Sequence, residues 1–450
     1  MSRSETQSQS GHSFFQKGIL TLLLISLFAI PLCVTTWIDE GEDKWFLVRT
    51  IGPLLVVLLV VYQSGKKINA QPIDALAVFA LAWIAVQVLS IFGAVNIGVS
   101  LAGITRQIGL VSFFFLVRFF AANHSALLKI ACALLLVGLA TSIYGIIQHF
   151  GYDFIHWQQH HEVPLERGVS FMGHATFAAS VIIMLIPLAI ALAIHLKARI
   201  AKIGLVVTAL IMLYHLSFTG ARVATVALFL SAGAGTVAYL FAARFGTDSA
   251  ESQSRTKSLP AKTTILVLLA IAVAGSISVQ RAWSLKGSDV LGLLEGGLAQ
   301  RIYAWETANR MFLAHPVNGV GIGNYEVVSP AFWNTVEASR YAQLKRSLYQ
   351  PHNEYIEAAA ETGIAGVAVL LGIVVFALIQ SITRTRLPLV LSAGLFAAIL
   401  ASAMDAFFLF PWQVPESGLI FWALLGIVSG QSILQPAQLP APPQMEPETV

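Results

Sequence analysis

The chain has 450 residues, of which 56% are hydrophobic and only 11% charged. A soluble domain carries about 25% charged residues, so one globular core cannot hide this composition, and the chain is expected to be an all-α polytopic integral membrane protein. Its formal charge of +4 is small and its lysines and arginines are scattered, so the sequence gives no basic face for nucleic acid.

In chain order, Met1 to Gln16 is polar and Ser-rich, and residues 1–17 read as a short disordered cytoplasmic tail. A helix needs about 20 apolar residues to cross a bilayer. That rule marks spans near residues 18–37, 46–62, 73–92, 101–121, 127–149, 174–195, 203–219, 223–243, 263–281, 364–382, 388–408 and 417–434. About twelve crossings result, nine within 18–281 and three within 363–434, separated by one large loop at 282–362. Residues 435–450, rich in Pro and Gln, read as a second disordered tail. Cys33 and Cys132 fall inside apolar runs, where a small buried thiol is the ordinary reading, and neither is assigned a disulfide or a metal.

Orientation follows from the positive charge. With the N-terminus inside, the inner connections hold Lys66-Lys67, Lys129, Lys197, Arg199 and Lys202, then Arg244 to Lys262, then Arg384 and Arg386. The positive-inside rule therefore expects both termini in the cytoplasm and the 282–362 loop outside. Asp39 to Asp43 and Phe410 to Glu416 are also expected outside.

Within the large loop, Ile302, Trp305, Ala308 and Phe312 keep helical spacing and predict an amphipathic helix ended by His315-Pro316. Gly319-Val320-Gly321-Ile322-Gly323-Asn324 follows as a structural turn, since no strand precedes it and no Gly-Lys-Ser ending marks a phosphate loop. Pro351 suits the first turn of a further helix, in which Glu354, Glu357 and Glu361 share one face. The plain reading of that face is a solvated acidic stripe. Gly363 and Gly366 let the chain re-aim before the next apolar run.

His352-Asn353 followed by Gly363 and Gly366 resembles the C-terminal signature of the O-antigen ligase and polymerase superfamily. The stretch from Arg301 through Trp305, Met311-Phe312 and His315-Pro316 to Tyr325 is similar to that family's outer-loop pattern. Thr219-Gly220-Ala221-Arg222 resembles its Ser-Arg-Gly turn, with Val223 in place of glycine. Gly173-His174-Ala175-Thr176 is similar to its Gly-Asn-Pro-Asn stretch. The resemblance implies a GT-C-like glycosyltransferase of the bacterial inner membrane, with its active site facing the periplasm. Such an enzyme moves a glycan from undecaprenyl diphosphate to an acceptor hydroxyl, on lipid A-core, on another glycan or on protein. It implies His352, Arg301 and Arg222 as catalytic residues, substrate contacts at Asn353, Glu354, His174 and Tyr325, and neither cofactor nor metal.

The chemistry is consistent with those residue types. A diphosphate is already a good leaving group, guanidinium forks suit its oxygens, and an imidazole can take the acceptor proton. Arg106 and Asp405 are ionisable groups in apolar surroundings and join the candidates, Arg106 as a substrate contact. Each has a plainer reading beside it: Arg222 as an anchor that snorkels to the interface, Arg301 as a headgroup contact, Arg106 and Asp405 as partners in ion pairs. His156, His160, His161 and Glu162 match no zinc spacing. A transporter would carry charged or broken helices near mid-membrane in two related halves, and no such repeat is visible. In the signature, Val367-Ala368 stands where the family has Thr-Thr, so ligase, polymerase and protein transferase remain open.

Overall fold

The computed structural model describes residues 3–34, 41–64, 73–155, 167–245, 297–344, 349–383 and 385–432. Its helices, in chain order, are α1 (Arg3–Leu32), α2 (Glu42–Ser64), α3 (Ala75–Ser90), α4 (Ile97–Ala121), α5 (His124–His149), α6 (Ala175–His195), α7 (Arg199–Thr219) and α8 (Arg222–Phe245). After them come α9 (Gly297–Ala314), α10 (Tyr325–Val328), α11 (Thr335–Leu344), α12 (Glu354–Thr383), α13 (Leu389–Asp405) and α14 (Pro415–Gly430). Among the described residues, nine helical segments are long and apolar enough to cross a membrane, and α13 and α14 are shorter apolar helices. The chain is an all-α, multi-pass membrane protein. The expected ninth span, 263–281, and the tail 435–450 lie outside the described residues. Helix α1 starts at Arg3 and so runs through part of the segment expected as a tail; its membrane-length apolar part is Phe14–Leu32.

Short polar side chains set several helix starts. Asp74, Asn96 and Asn123 each turn a side-chain oxygen onto the first free N–H groups of α3, α4 and α5. Gly220, in the left-handed region at φ 62°, closes α7 and lets α8 begin at Arg222, as the near-contact of those two spans in the sequence suggested.

The core lies around α6 and α14, which are buried along nearly their whole length. In lipid no hydrophobic effect separates helices, so close packing of small residues does the work. Gly426 and Gly430 of α14 lie against the carbonyls of Phe114 and Arg118 in α4, where a Cβ would come to 2.7 and 2.4 Å. Cys132 departs from expectation: it is exposed on the outside of α5, where the bilayer also offers an apolar surface.

The two ends of the bundle are built differently. At one end the Arg118 guanidinium donates to the Ser429 hydroxyl at 2.8 Å and lies 3.8 Å from Asp74. Ser429 in turn donates to Asp74 at 2.8 Å, and Gln380 donates to its other oxygen at 2.5 Å. This knot ties α3, α4, α12 and α14 together.

The other end, here the loop face, carries α9–α11 and the start of α12. Helix α12 breaks at Gly363 (φ 69°, ψ −167°), as the glycine there suggested. A break strands the carbonyls of the preceding turn. The glycine-rich turn meets them: Val320 N–H donates to Ala360 O at 3.0 Å and Gly321 N–H to Glu361 O at 2.9 Å. Below the break, Ile364 N–H donates to Pro316 O at 2.9 Å. Gly319, Gly321 and Gly323 all have positive φ, and a Cβ on Gly319 would overlap Glu361 at 2.2 Å, which is why glycines recur there. Asn324 fixes the turn to α4 through Ser100 Oγ and the Asn96 N–H, both at 2.8 Å. The glycine-rich run is thus a structural turn.

Two sequence expectations change at this face. In α9 the buried positions are Ala304, Thr307, Ala308 and Met311, while Ile302 is exposed. The stripe is rotated because Thr307 pays its burial with a hydrogen bond to Glu337 at 2.6 Å, which apolar spacing cannot register. The acidic row is not solvated: Glu354, Glu357 and Glu361 are 5%, 2% and 4% exposed.

Candidate active site

His352 stands just before α12 with φ 57°, one of two non-glycine residues with positive φ among those described. Such a conformation costs free energy and clusters at functional sites. The helix begins at Glu354 and not at Pro351, because Asn353 is its cap: its Oδ1 accepts from Tyr355 N–H at 3.0 Å and Ile356 N–H at 3.1 Å. Asn353 therefore positions the histidine, with its side-chain oxygen committed to the helix.

The His352 ring packs edge-on against Phe410, with centroids 5.1 Å apart. Its Nδ1 lies 3.0 Å from the Gln350 carbonyl. A carbonyl only accepts, so Nδ1 carries the proton and Nε2 presents a lone pair. Burial pushes the imidazole pKa down to about 4; the Gln350 hydrogen bond opposes this and the charge of Arg301 adds to it. His352 is neutral at physiological pH, the form a proton acceptor needs.

Arg301, in the first turns of α9, comes from a different stretch of chain into electrostatic reach of His352. Burial lowers its own pKa, and Asp405 at the end of α13 opposes that. Asp405 is 2% exposed and accepts from Ser180 of α6 at 2.5 Å. A buried acidic side chain thus lies within electrostatic reach of a guanidinium that in turn reaches a neutral histidine. Arginine retains its charge under such burial, so the group is a fixed cation in poorly hydrated surroundings.

The acidic row holds the surrounding loops. Glu354 Oε1 accepts from Trp412 N–H at 2.6 Å and Gln413 N–H at 3.2 Å, clamping the 406–414 connection onto α12. Glu361 accepts from Gly323 N–H and Tyr325 N–H, both at 2.8 Å, and so fixes the glycine-rich turn. Glu357 keeps one oxygen, Oε2, buried without a hydrogen-bond partner.

The remaining candidates are spread around the same face. Arg222 opens α8 at the end of the bundle that also carries the start of α6 and the end of α13. Arg106 pairs with Glu42 and lies over the Trp45 ring, 5.4 Å from its centroid, so the ion-pair reading describes it. His174 caps α6, its Nδ1 accepting from Thr176 N–H at 3.2 Å. Tyr325 is buried, and its hydroxyl donates to Ala304 O at 3.2 Å. His156, His160, His161 and Glu162 lie outside the described residues.

Residues 207–371 match the family model described as O-antigen ligase. This segment is similar to the O-antigen ligase family. That match spans less than half of the chain, and it includes Arg222, Arg301, the glycine-rich turn, His352 and the Gly363 break. No curated protein matches the chain. The O-antigen ligase match supports a membrane glycosyltransferase of the ligase or polymerase type, agreeing with the motif resemblance.

Two cations of this face were missed in the sequence. Lys44 is 4% exposed, pairs with Glu416 and donates to Phe171 O at 2.7 Å. Its signal was available: a lysine beside Asp39 to Asp43 runs against the charge bias of an outer connection. Arg167 grips the Thr219 carbonyl with Nε at 2.9 Å and Nη2 at 2.6 Å, bracing the turn that leads into Arg222. No spacing pattern marks it.

Proposed function

We propose that this protein transfers a glycan from undecaprenyl diphosphate to an acceptor hydroxyl at the loop face, and that this face is periplasmic. The observation that carries the reading is His352: neutral, held in a strained backbone conformation, with Nε2 presenting a lone pair within electrostatic reach of the half-buried cation Arg301. The basic connections Lys197 to Lys202 and Arg244, at the opposite end, support the orientation.

In the proposed step the acceptor oxygen forms a bond to the anomeric carbon of the donor sugar. The bond from that carbon to the diphosphate oxygen breaks, and the hydroxyl proton passes to His352 Nε2. Undecaprenyl diphosphate departs, and Arg301 balances the charge developing on its oxygens, with Arg222 converging on the same diphosphate. Neither metal nor nucleotide enters, because the donor brings its own leaving group. The bound diphosphate also offsets the charge of Arg301, which raises the His352 pKa toward the range where it accepts a proton readily.

Ligation of O-antigen to lipid A-core is the reading adopted. Polymerase is the second reading; Val367-Ala368, in place of the family's Thr-Thr, weakens the ligase assignment without choosing between polymerase and protein transferase. The surface glycan profile of a deletion strain tests both. Ligase predicts loss of long glycan from the lipid A-core with accumulation of lipid-linked polymer; polymerase predicts glycan shortened to one repeat. An unchanged profile contradicts the function.

A further inference from the structure

Beside His352 the loop face holds a cavity of about 220 Å³ between the start of α2, the Phe171–Gly173 turn and the start of α14. Two of its lining residues, Gln350 and Phe410, are the ones that hold the His352 ring. Its polar walls come from Asp43, Lys44 and Glu416, and Phe177 adds an aromatic face. Lys44 is already committed to Glu416 and to Phe171 O. Glu416 is 2% exposed, yet its second oxygen, Oε2, has no partner. A buried carboxylate oxygen without a donor costs free energy unless something supplies one.

We propose that this cavity takes the terminal sugar ring of the acceptor, and that the ring is an uncharged one; the proposal rests on the transferase reading above. Hydroxyls donate to carboxylate oxygens, and Glu416 leaves one open. Aromatic faces at Phe177 and Phe410 suit the C–H faces of a pyranose. The cavity volume of about 220 Å³ is enough to admit one sugar ring. Sign of charge sets the selectivity. Glu416 is paired with Lys44 and Glu42 with Arg106, so the third carboxylate, Asp43, leaves the wall net negative and a phosphorylated ring meets like charge.

The test uses the full chain in lipid nanodiscs, with methyl glycosides of glucose, galactose and N-acetylglucosamine and with glucose 6-phosphate as probes, read by saturation-transfer NMR. The expected result is saturable binding of at least one neutral glycoside and none of the phosphate. Glu416→Gln should weaken that binding by roughly 10- to 100-fold, the worth of a hydrogen bond to a charged group. Since Glu416→Gln also leaves Lys44 without its counter-charge, Val34→Trp, which fills the cavity from its half-buried rim, serves as the second variant. It should abolish glycoside binding and raise the acceptor KM while leaving the donor KM unchanged. If the native protein transfers glycan but binds no neutral glycoside, or if Val34→Trp leaves the acceptor KM unchanged, the cavity proposal is overturned and the transferase reading stands. If glycoside binding is lost in Val34→Trp but the native protein transfers no glycan, the sugar site stands and the transferase reading falls.

Discussion

Charged groups are buried at both ends of the bundle, but the two ends treat them differently. In the knot of Asp74, Arg118, Ser429 and Gln380, each side chain bonds to another, and four helices are fastened. At the loop face, polar atoms stay open: the half-buried His352 presents Nε2, and Oε2 of Glu357 and Oε2 of Glu416 are buried without a partner. Satisfied burial fixes structure, and unsatisfied burial beside a cavity, with a perturbed histidine, is the mark of a site. The comparison separates two kinds of intramembrane charge that a sequence presents identically.

The largest expected effect breaks the closed end. Asp74→Ala strands the Arg118 guanidinium and should destabilise the protein by about 3–5 kcal/mol. Thermal unfolding of purified protein checks this, and a wild-type midpoint would make the knot ornamental. A smaller loss is expected where the two regions of α12 meet. Gly363→Ala places a Cβ 2.1 Å from Val317 O in a left-handed conformation, costing at least about 1–3 kcal/mol. It should loosen the glycine-rich turn, seen as faster proteolysis within 315–325, with less effect on global unfolding. The smallest is Asn353→Ala, which removes a helix cap worth about 1 kcal/mol. Because Asn353 positions His352, turnover should fall more than stability does, and Asn353→Asp should restore both; equal loss in both would reduce Asn353 to a cap alone.

Much of the bundle was legible in the sequence because apolar run length and basic connections report spans directly, and the positive-φ demand at Gly363 and Gly319 leaves glycine as the plain solution. The site was legible only in outline. Helical spacing placed Glu354, Glu357 and Glu361 on one face but could not say that the 406–414 connection and the glycine-rich turn cover it. The stripe of α9 was misjudged because a threonine counts as polar until its partner, Glu337, is known. The Asp74–Arg118 and Lys44–Glu416 pairs join residues far apart in sequence, so no local pattern contains them. Convergence of Arg301 with His352 and Asp405 is likewise a property of packing.

In the proposed mechanism His352 takes the acceptor proton while Arg301 holds the donor. Purified protein with lipid-linked donor, assayed with a chelator present, allows donor binding and turnover to be measured separately across pH. His352→Ala is expected to bind donor nearly as the native protein does and to turn over about 10² to 10⁴-fold more slowly, whereas Arg301→Ala should lose donor affinity and Arg301→Lys should recover it only in part. An unprotonated base is required, so the native rate should fall as pH drops: near pH 4 for kcat/KM, where burial sets the His352 pKa in the free protein, and at higher pH for kcat, where bound diphosphate offsets Arg301. Equal loss of donor binding in His352→Ala and Arg301→Ala, or full activity in His352→Ala, would contradict it.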